Sequence, residues 1–215
     1  MSDSGTVQAI PATVPFRVLM VCTSNISRSP AAAYLLRAHL EARGAGQWFA
    51  VTSAGTRADP GEAIDGDTAR ALAGEGVDAA DHRAHPLTER RVAQADLILT
   101  AARRHREAVA RLRPDAVPRT FTVREFDRLA TAAMEARPHG PQALVDVAAA
   151  LRRSLPPRTP ADDDVEDPVG ARFPAHEAAV QLINEATYAV AAALARDLDI
   201  DLWAGSPLVG RAGRS

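Results

Sequence analysis

Lysine is absent from this chain, and cysteine occurs once. All 25 basic residues are arginine, a bias that genomic base composition explains and that carries no functional inference. The lone cysteine, Cys22, excludes an intrachain disulfide framework and any cysteine-rich metal site. No apolar run approaches the roughly 18 residues of a membrane-crossing helix. The first 15 residues lack the basic and apolar blocks of a secretion signal. A formal net charge of −2 argues against non-specific attraction to nucleic acid or to an anionic membrane. The expectation is a cytoplasmic protein with no nucleic-acid partner and no membrane insertion.

What is present is a chain of 215 residues, 47% hydrophobic, enough for one domain with a buried core. Residues 1–14 are small and polar, a loose tail. Phe16 to Val21 is an apolar run suited to a buried parallel strand. Pro30, placed at the first position of a helix, and the Ala/Leu-rich residues after it predict a first helix ending near Gly44. "WFAVTSAG" predicts a second strand ending at Gly55. "AIDGDTARALAGEGV" predicts a second helix with Gly76 near its end. "ADLILT" (95–100) and "PRTFT" (118–122) predict two further strands. Residues 123–136 and 141–155 form helices joined by "RPHG", and a proline- and acid-rich loop covers 156–174. A long helix from 176 to 198 closes the chain, and 203–215 is a second tail. Alternating strands and helices predict an α/β fold, a three-layer sandwich around a four-stranded parallel sheet.

Cys22 falls where the first strand gives way to the first helix, at the carboxyl end of a sheet where α/β proteins bind ligands. The loop opens a helix, whose first amides are unpaired and partly positive. A thiolate there is stabilised and made a better nucleophile. Arg28, six residues on, can offer a planar fork to two oxygens of an oxyanion. Ser29 is near enough in sequence to donate to the sulfur. Together these parts predict a phosphate cradle with a nucleophile at its floor and no metal.

"VCTSNISRSP" resembles the phosphate-binding loop of the low-molecular-weight protein tyrosine phosphatases, whose pattern is V-C-x-G-N-x-C-R-S-P. Ser53–Thr56 after the second strand, "HRAHPLTERRVAQADLIL" (82–99) and "EDPVG" (166–170) resemble the same family. The resemblance covers about 16–122 and 164–198, within one domain spanning 15–202. The helical stretch at 123–160 is longer than the family leads one to expect. It implies a phosphomonoesterase, acting on phosphotyrosine or a similar ester of a protein or small molecule, without a cofactor. Cys22 would form a cysteinyl-phosphate. Arg28 and the backbone amides of Thr23, Ser24, Asn25, Ile26 and Ser27 would hold the phosphoryl oxygens. Ser29 would support the thiolate. Asn25, a residue tolerant of positive φ, would brace the loop in a chain of hydrogen bonds with Ser53 and His82. Asp167 would protonate the leaving oxygen and then activate water, and the proline after it keeps it out of a helix.

Several positions depart from that pattern. Ser27 replaces a second cysteine and Ser24 a glycine. No aromatic residue occurs in 57–63 or directly after Pro168, so phosphotyrosine lacks stacking walls, and Ala102 stands where an acid is common. Asp162, Asp163 and Asp164 are expected to be solvated loop charges. No partner is assigned to His85, His105 or His176. Two alternatives share the scaffold: an arsenate reductase using an external small thiol, and a non-catalytic phosphate-binding protein.

Overall fold

A computed structural model describes residues 14–154 and 158–196. The tails expected at 1–14 and 203–215 therefore lie outside the described residues, except for exposed Val14.

Four strands form one sheet: β1 (Phe16–Cys22), β2 (Phe49–Gly55), β3 (Leu97–Thr100) and β4 (Thr120–Thr122), in the order β2-β1-β3-β4. All pairings are parallel, with Cys22 level with Gly55 and Val21 level with Thr100. The strand order reverses beside β1, so the carboxyl end of β1 opens onto the crevice where such sheets bind ligands.

Side-chain alternation along β1 divides the core into two layers. Val18 and Met20 point to one face, under α1 (Arg28–Ala42) and α2 (Gly66–Gly74). Leu19 and Val21 point to the other, under Val92 of α3 (Glu89–Gln94) and Val109 of α4 (Arg103–Leu112). The helices α3 and α4, which the sequence reading left unassigned, supply the second outer layer of the sandwich. Each fully buried aliphatic side chain here is worth about 1.5–3 kcal/mol.

The segment after β4 folds as α5 (Val123–Ala133) and α6 (Gly140–Ser154), followed by a four-residue turn of helix, α7 (Pro160–Asp163). Thr122 and Glu125 close a reciprocal capping box at the start of α5. The last helix, α8 (Phe173–Ala195), corrects one expectation. It is long and apolar enough to cross a membrane by length and composition alone. Its buried stripe, however, recurs every three or four residues through Val180, Ile183, Ala186, Val190 and Leu194. That stripe packs on α1, α2, α5 and α6, the behaviour of a core helix.

A smaller correction concerns Pro30. It is the third residue of α1, not the first, because Arg28 and Ser29 already belong to the helix. A proline there still removes no intrahelical bond, since the amides of the first turn lack partners.

Candidate active site

The turn from β1 to α1 is braced around Asn25, which is fully buried with φ of +59°. That left-handed conformation costs most residues about 1–2 kcal/mol and suits asparagine better than most. The Asn25 side chain is saturated. Its Nδ2 donates to Ser29 Oγ (2.8 Å) and Ser53 Oγ (2.9 Å), and its Oδ1 accepts from the His85 amide (2.8 Å). His82 Nε2 donates to the Asn25 carbonyl at 2.6 Å. The expected chain through Ser53 and His82 is thus a hub: both touch Asn25 directly. Burial holds His82 below the usual histidine range.

Gly55 lets the loop approach β2 this closely. A Cβ there would lie 2.6 Å from the Thr23 carbonyl oxygen and 2.8 Å from the Asn25 amide nitrogen. Ser24 does not need the glycine of the pattern it departs from, because among the described non-glycine residues only Asn25 and Arg137 have positive φ.

Two groups point at the sulfur of Cys22, itself 1% exposed. Ser29 Oγ is 2.9 Å away and the Asn25 amide donates at 3.3 Å. The amides of Ser24, Ile26, Ser27 and Arg28 have no protein acceptor among the described residues, and no side chain caps α1. These donors converge on the helix N-terminus, as an oxyanion requires.

Arg28 is 2% exposed and spans the site. Its Nη1 donates to the Val165 carbonyl at 3.0 Å, and its Nη2 pairs closely with the Asp167 carboxylate. Its Nε is buried with no acceptor among the described residues. Burial pulls the guanidinium down from its ordinary value, while Asp167 and Cys22 work against that pull. Asp167 is exposed and has a second cation, Arg104, at 3.7 Å.

Residues missed in the sequence complete the surroundings. His105, on α4, meets Thr23 Oγ1 at 2.9 Å through Nε2. Its burial beside Arg28, Arg104 and Arg57 pushes its pKa down to about 3, so it is neutral. Ser27 accepts from Thr68 Oγ1 (2.9 Å), Thr68 accepts from His176 Nδ1 (2.9 Å), and Asp65 Oδ1 lies 3.1 Å from the same nitrogen. At Ser27, where the resembled pattern commonly has a second cysteine, this chain therefore runs a buried polar relay to α8. The mouth of the site has arginines in place of aromatic walls: Arg57, whose amide donates to the Thr23 carbonyl, and Arg104.

Two of the three neighbouring aspartates are not solvated charges. Asp163 is 4% exposed and is held by Arg103 and Arg128, both at 2.9 Å. Asp164 accepts from the Arg103 amide at 2.8 Å. Only Asp162 bonds locally, to Thr159. Asp163 and Asp164 anchor the loop that carries Asp167, and a run of acids in sequence gives no sign of which members face inwards.

A parallel sheet with a Cys-x5-Arg loop at its crevice and an aspartate closing over the arginine defines a phosphatase-type site. The family model for low molecular weight phosphotyrosine protein phosphatase matches residues 17–138. The chain belongs to that family. It is 38% identical over 105 residues to the probable low molecular weight protein-tyrosine-phosphatase AmsI of Erwinia amylovora, 48% of this chain and 68% of that protein. It is 33% identical over 113 residues to a protein-arginine-phosphatase of Geobacillus stearothermophilus, 53% of this chain and 72% of that protein. The solved low molecular weight protein tyrosine phosphatase from T. tengcongensis superposes with a TM-score of 0.62 at 27% identity, covering 81% of this chain and 97% of that one. The family match ends before Asp167, whose assignment rests on its position over Arg28.

Proposed function

We propose that this phosphatase hydrolyses phosphomonoesters through a cysteinyl-phosphate on Cys22, with Arg28 as the oxyanion clamp and Asp167 as acid and base. One observation carries the reading: residue 167 closes over Arg28 at the loop whose floor is Cys22, although 139 positions separate the two residues. A phosphate dianion entering the loop replaces the Asp167 carboxylate on Arg28. The unpartnered Nε of Arg28 and the free amides of Ser24, Ile26, Ser27 and Arg28 then receive its equatorial oxygens. Cys22, stabilised as a thiolate by the Ser29 hydroxyl and the Asn25 amide, attacks phosphorus. The P–O bond to the leaving group breaks as Asp167, which takes up a proton from solvent once displaced from Arg28, delivers it to that oxygen. Water, deprotonated by Asp167, then attacks phosphorus, breaks the S–P bond and releases phosphate and the thiolate.

Arg57 and Arg104 at the mouth favour an ester carrying further negative charge over one recognised by stacking alone. A thiolate nucleophile fits the reducing cytoplasm. Arsenate reduction is disfavoured because it has no use for a leaving-group acid over Arg28.

Rapid-quench mass spectrometry with p-nitrophenyl phosphate tests the reading. One phosphoryl group should appear on the peptide holding Cys22 during turnover and be absent from Cys22→Ser run in parallel. Steady turnover with no such adduct, or full activity of Cys22→Ser, overturns it. A panel of phosphotyrosine, phosphoarginine and acidic small phosphoesters then ranks the substrates.

A further inference from the structure

Behind α4 lies a cleft of about 480 Å³, bounded by α4, α5, α6 and the segment before α7. Six arginines line it, against two carboxylates, Glu125 and Asp163. Both carboxylates are already engaged. Glu125 takes Arg106 and Arg152, and Asp163 takes Arg103 and Arg128. Arg153 and Arg158 are exposed and form no close salt bridge among the described residues, with Asp162 the one carboxylate that feels the charge of Arg158. Arg103 Nε is buried at this wall with no acceptor among the described residues. The chain as a whole is slightly acidic, so this surplus is a local feature and not a general basicity.

We propose that this cleft binds a small oligophosphate, at a site separate from the phosphate loop. Guanidinium forks match phosphate oxygens in pairs. The uncommitted cations come from α6 and from residue 158 and face the α4 and α5 arginines across a space larger than one phosphate fills. A ligand with two or more phosphate groups can reach both walls. The concavity and volume fall in the range of small-molecule sites, about 300–1,000 Å³. The helix α4 keeps the two sites apart: Arg104 and His105 face the phosphate loop, while Arg103 and Arg106 face the cleft. Inorganic tripolyphosphate and the triphosphate of a nucleotide share this chemistry, and comparing the two identifies the source.

The test is calorimetric titration of the full chain with tripolyphosphate at low salt, with vanadate saturating the phosphate loop. One-to-one binding is expected, weakening as salt rises. Two variants probe the cleft. Arg153→Ala with Arg158→Ala removes the uncommitted cations, and Ala132→Glu adds a carboxylate at an exposed position on its wall. Each should weaken binding by about tenfold or more, the value of a lost charge-assisted contact, while p-nitrophenyl phosphate turnover is unchanged. Equal affinity for ATP and tripolyphosphate identifies an inorganic ligand, and tighter ATP binding a nucleotide. No binding at millimolar ligand, or equal affinity in wild type and both variants, overturns the proposal. So does tighter, variant-sensitive binding of a DNA duplex.

Discussion

Thr23, in the loop between β1 and α1, and His105, on α4, meet at 2.9 Å across 82 positions of sequence. The contact ties the loop to the second outer layer of the sandwich through a histidine that burial and three arginines keep neutral.

That histidine makes stability depend on pH. Its pKa falls from 6.5 to about 3 on folding. Between those values the unfolded chain binds a proton that the folded chain refuses. Its contribution is therefore complete above pH 6.5 and is lost as pH falls towards 3, at up to about 1.4 kcal/mol per pH unit. His82, lowered by burial, acts in the same direction. Urea midpoints at pH 7.5 and 5 should fall less between the two for His105→Gln than for wild type. An equal fall in both would remove His105 from the effect.

Asp167→Asn should slow poor leaving groups most. p-Nitrophenol departs readily, whereas an unactivated phenol needs a proton in the transition state. Phenyl phosphate turnover should drop about 10²–10⁴-fold, with a far smaller loss on p-nitrophenyl phosphate. Asp162→Asn, at a locally bonded position, is the control. Asp163→Asn and Asp164→Asn should reduce both substrates alike, because they loosen the anchor of the loop and not the proton donor. A leaving-group-dependent loss in Glu166→Gln but not Asp167→Asn would relocate the acid.

The two functions of Asn25, its φ and its side-chain bonds, separate by mutation. Asn25→Gly keeps the left-handed backbone and loses the contacts to Ser29, Ser53 and the His85 amide. Asn25→Ala loses the same contacts and adds strain of about 1–2 kcal/mol. Both should cut kcat, and alanine should lower the thermal midpoint more than glycine. The reverse order would mean that the backbone conformation is not what the position selects.

Hydrogen peroxide should inactivate the enzyme by converting Cys22 to a sulfenic acid, with inorganic phosphate protecting. No other cysteine exists in the chain to capture that species, so a small external thiol should restore activity only before further oxidation. Mass spectrometry showing an unmodified Cys22 after inactivation would place the damage elsewhere.

The loop was legible in the sequence because its chemistry is local: directly after a strand, Cys22, Arg28 and Ser-Pro lie within nine residues. The strands were legible for the same reason. The helix α4 was not, since only His105 and Val109 of its ten residues are buried and its arginines outnumber the apolar residues of its inner face. His105 and His176 gave no signal because their partners, Thr23, Thr68 and Asp65, are distant in sequence. Asp167 could be picked out by its proline, but its closure over Arg28 is a property of the fold. The division of Asp162, Asp163 and Asp164 into one surface and two anchoring residues depends on Arg103 and Arg128, which adjoin them only in space.

The groups that engage Arg28 come late in the chain. Val165 and Asp167 engage Arg28, and His176, on α8, ends the relay that begins at Ser27. On the ribosome Cys22 and Arg28 emerge together, while the partners of Arg28 follow more than 130 residues later. Order of synthesis is thus an order of assembly. A nascent chain holds Arg28 without these two partners until the segment from Val165 through Asp167 has left the exit tunnel.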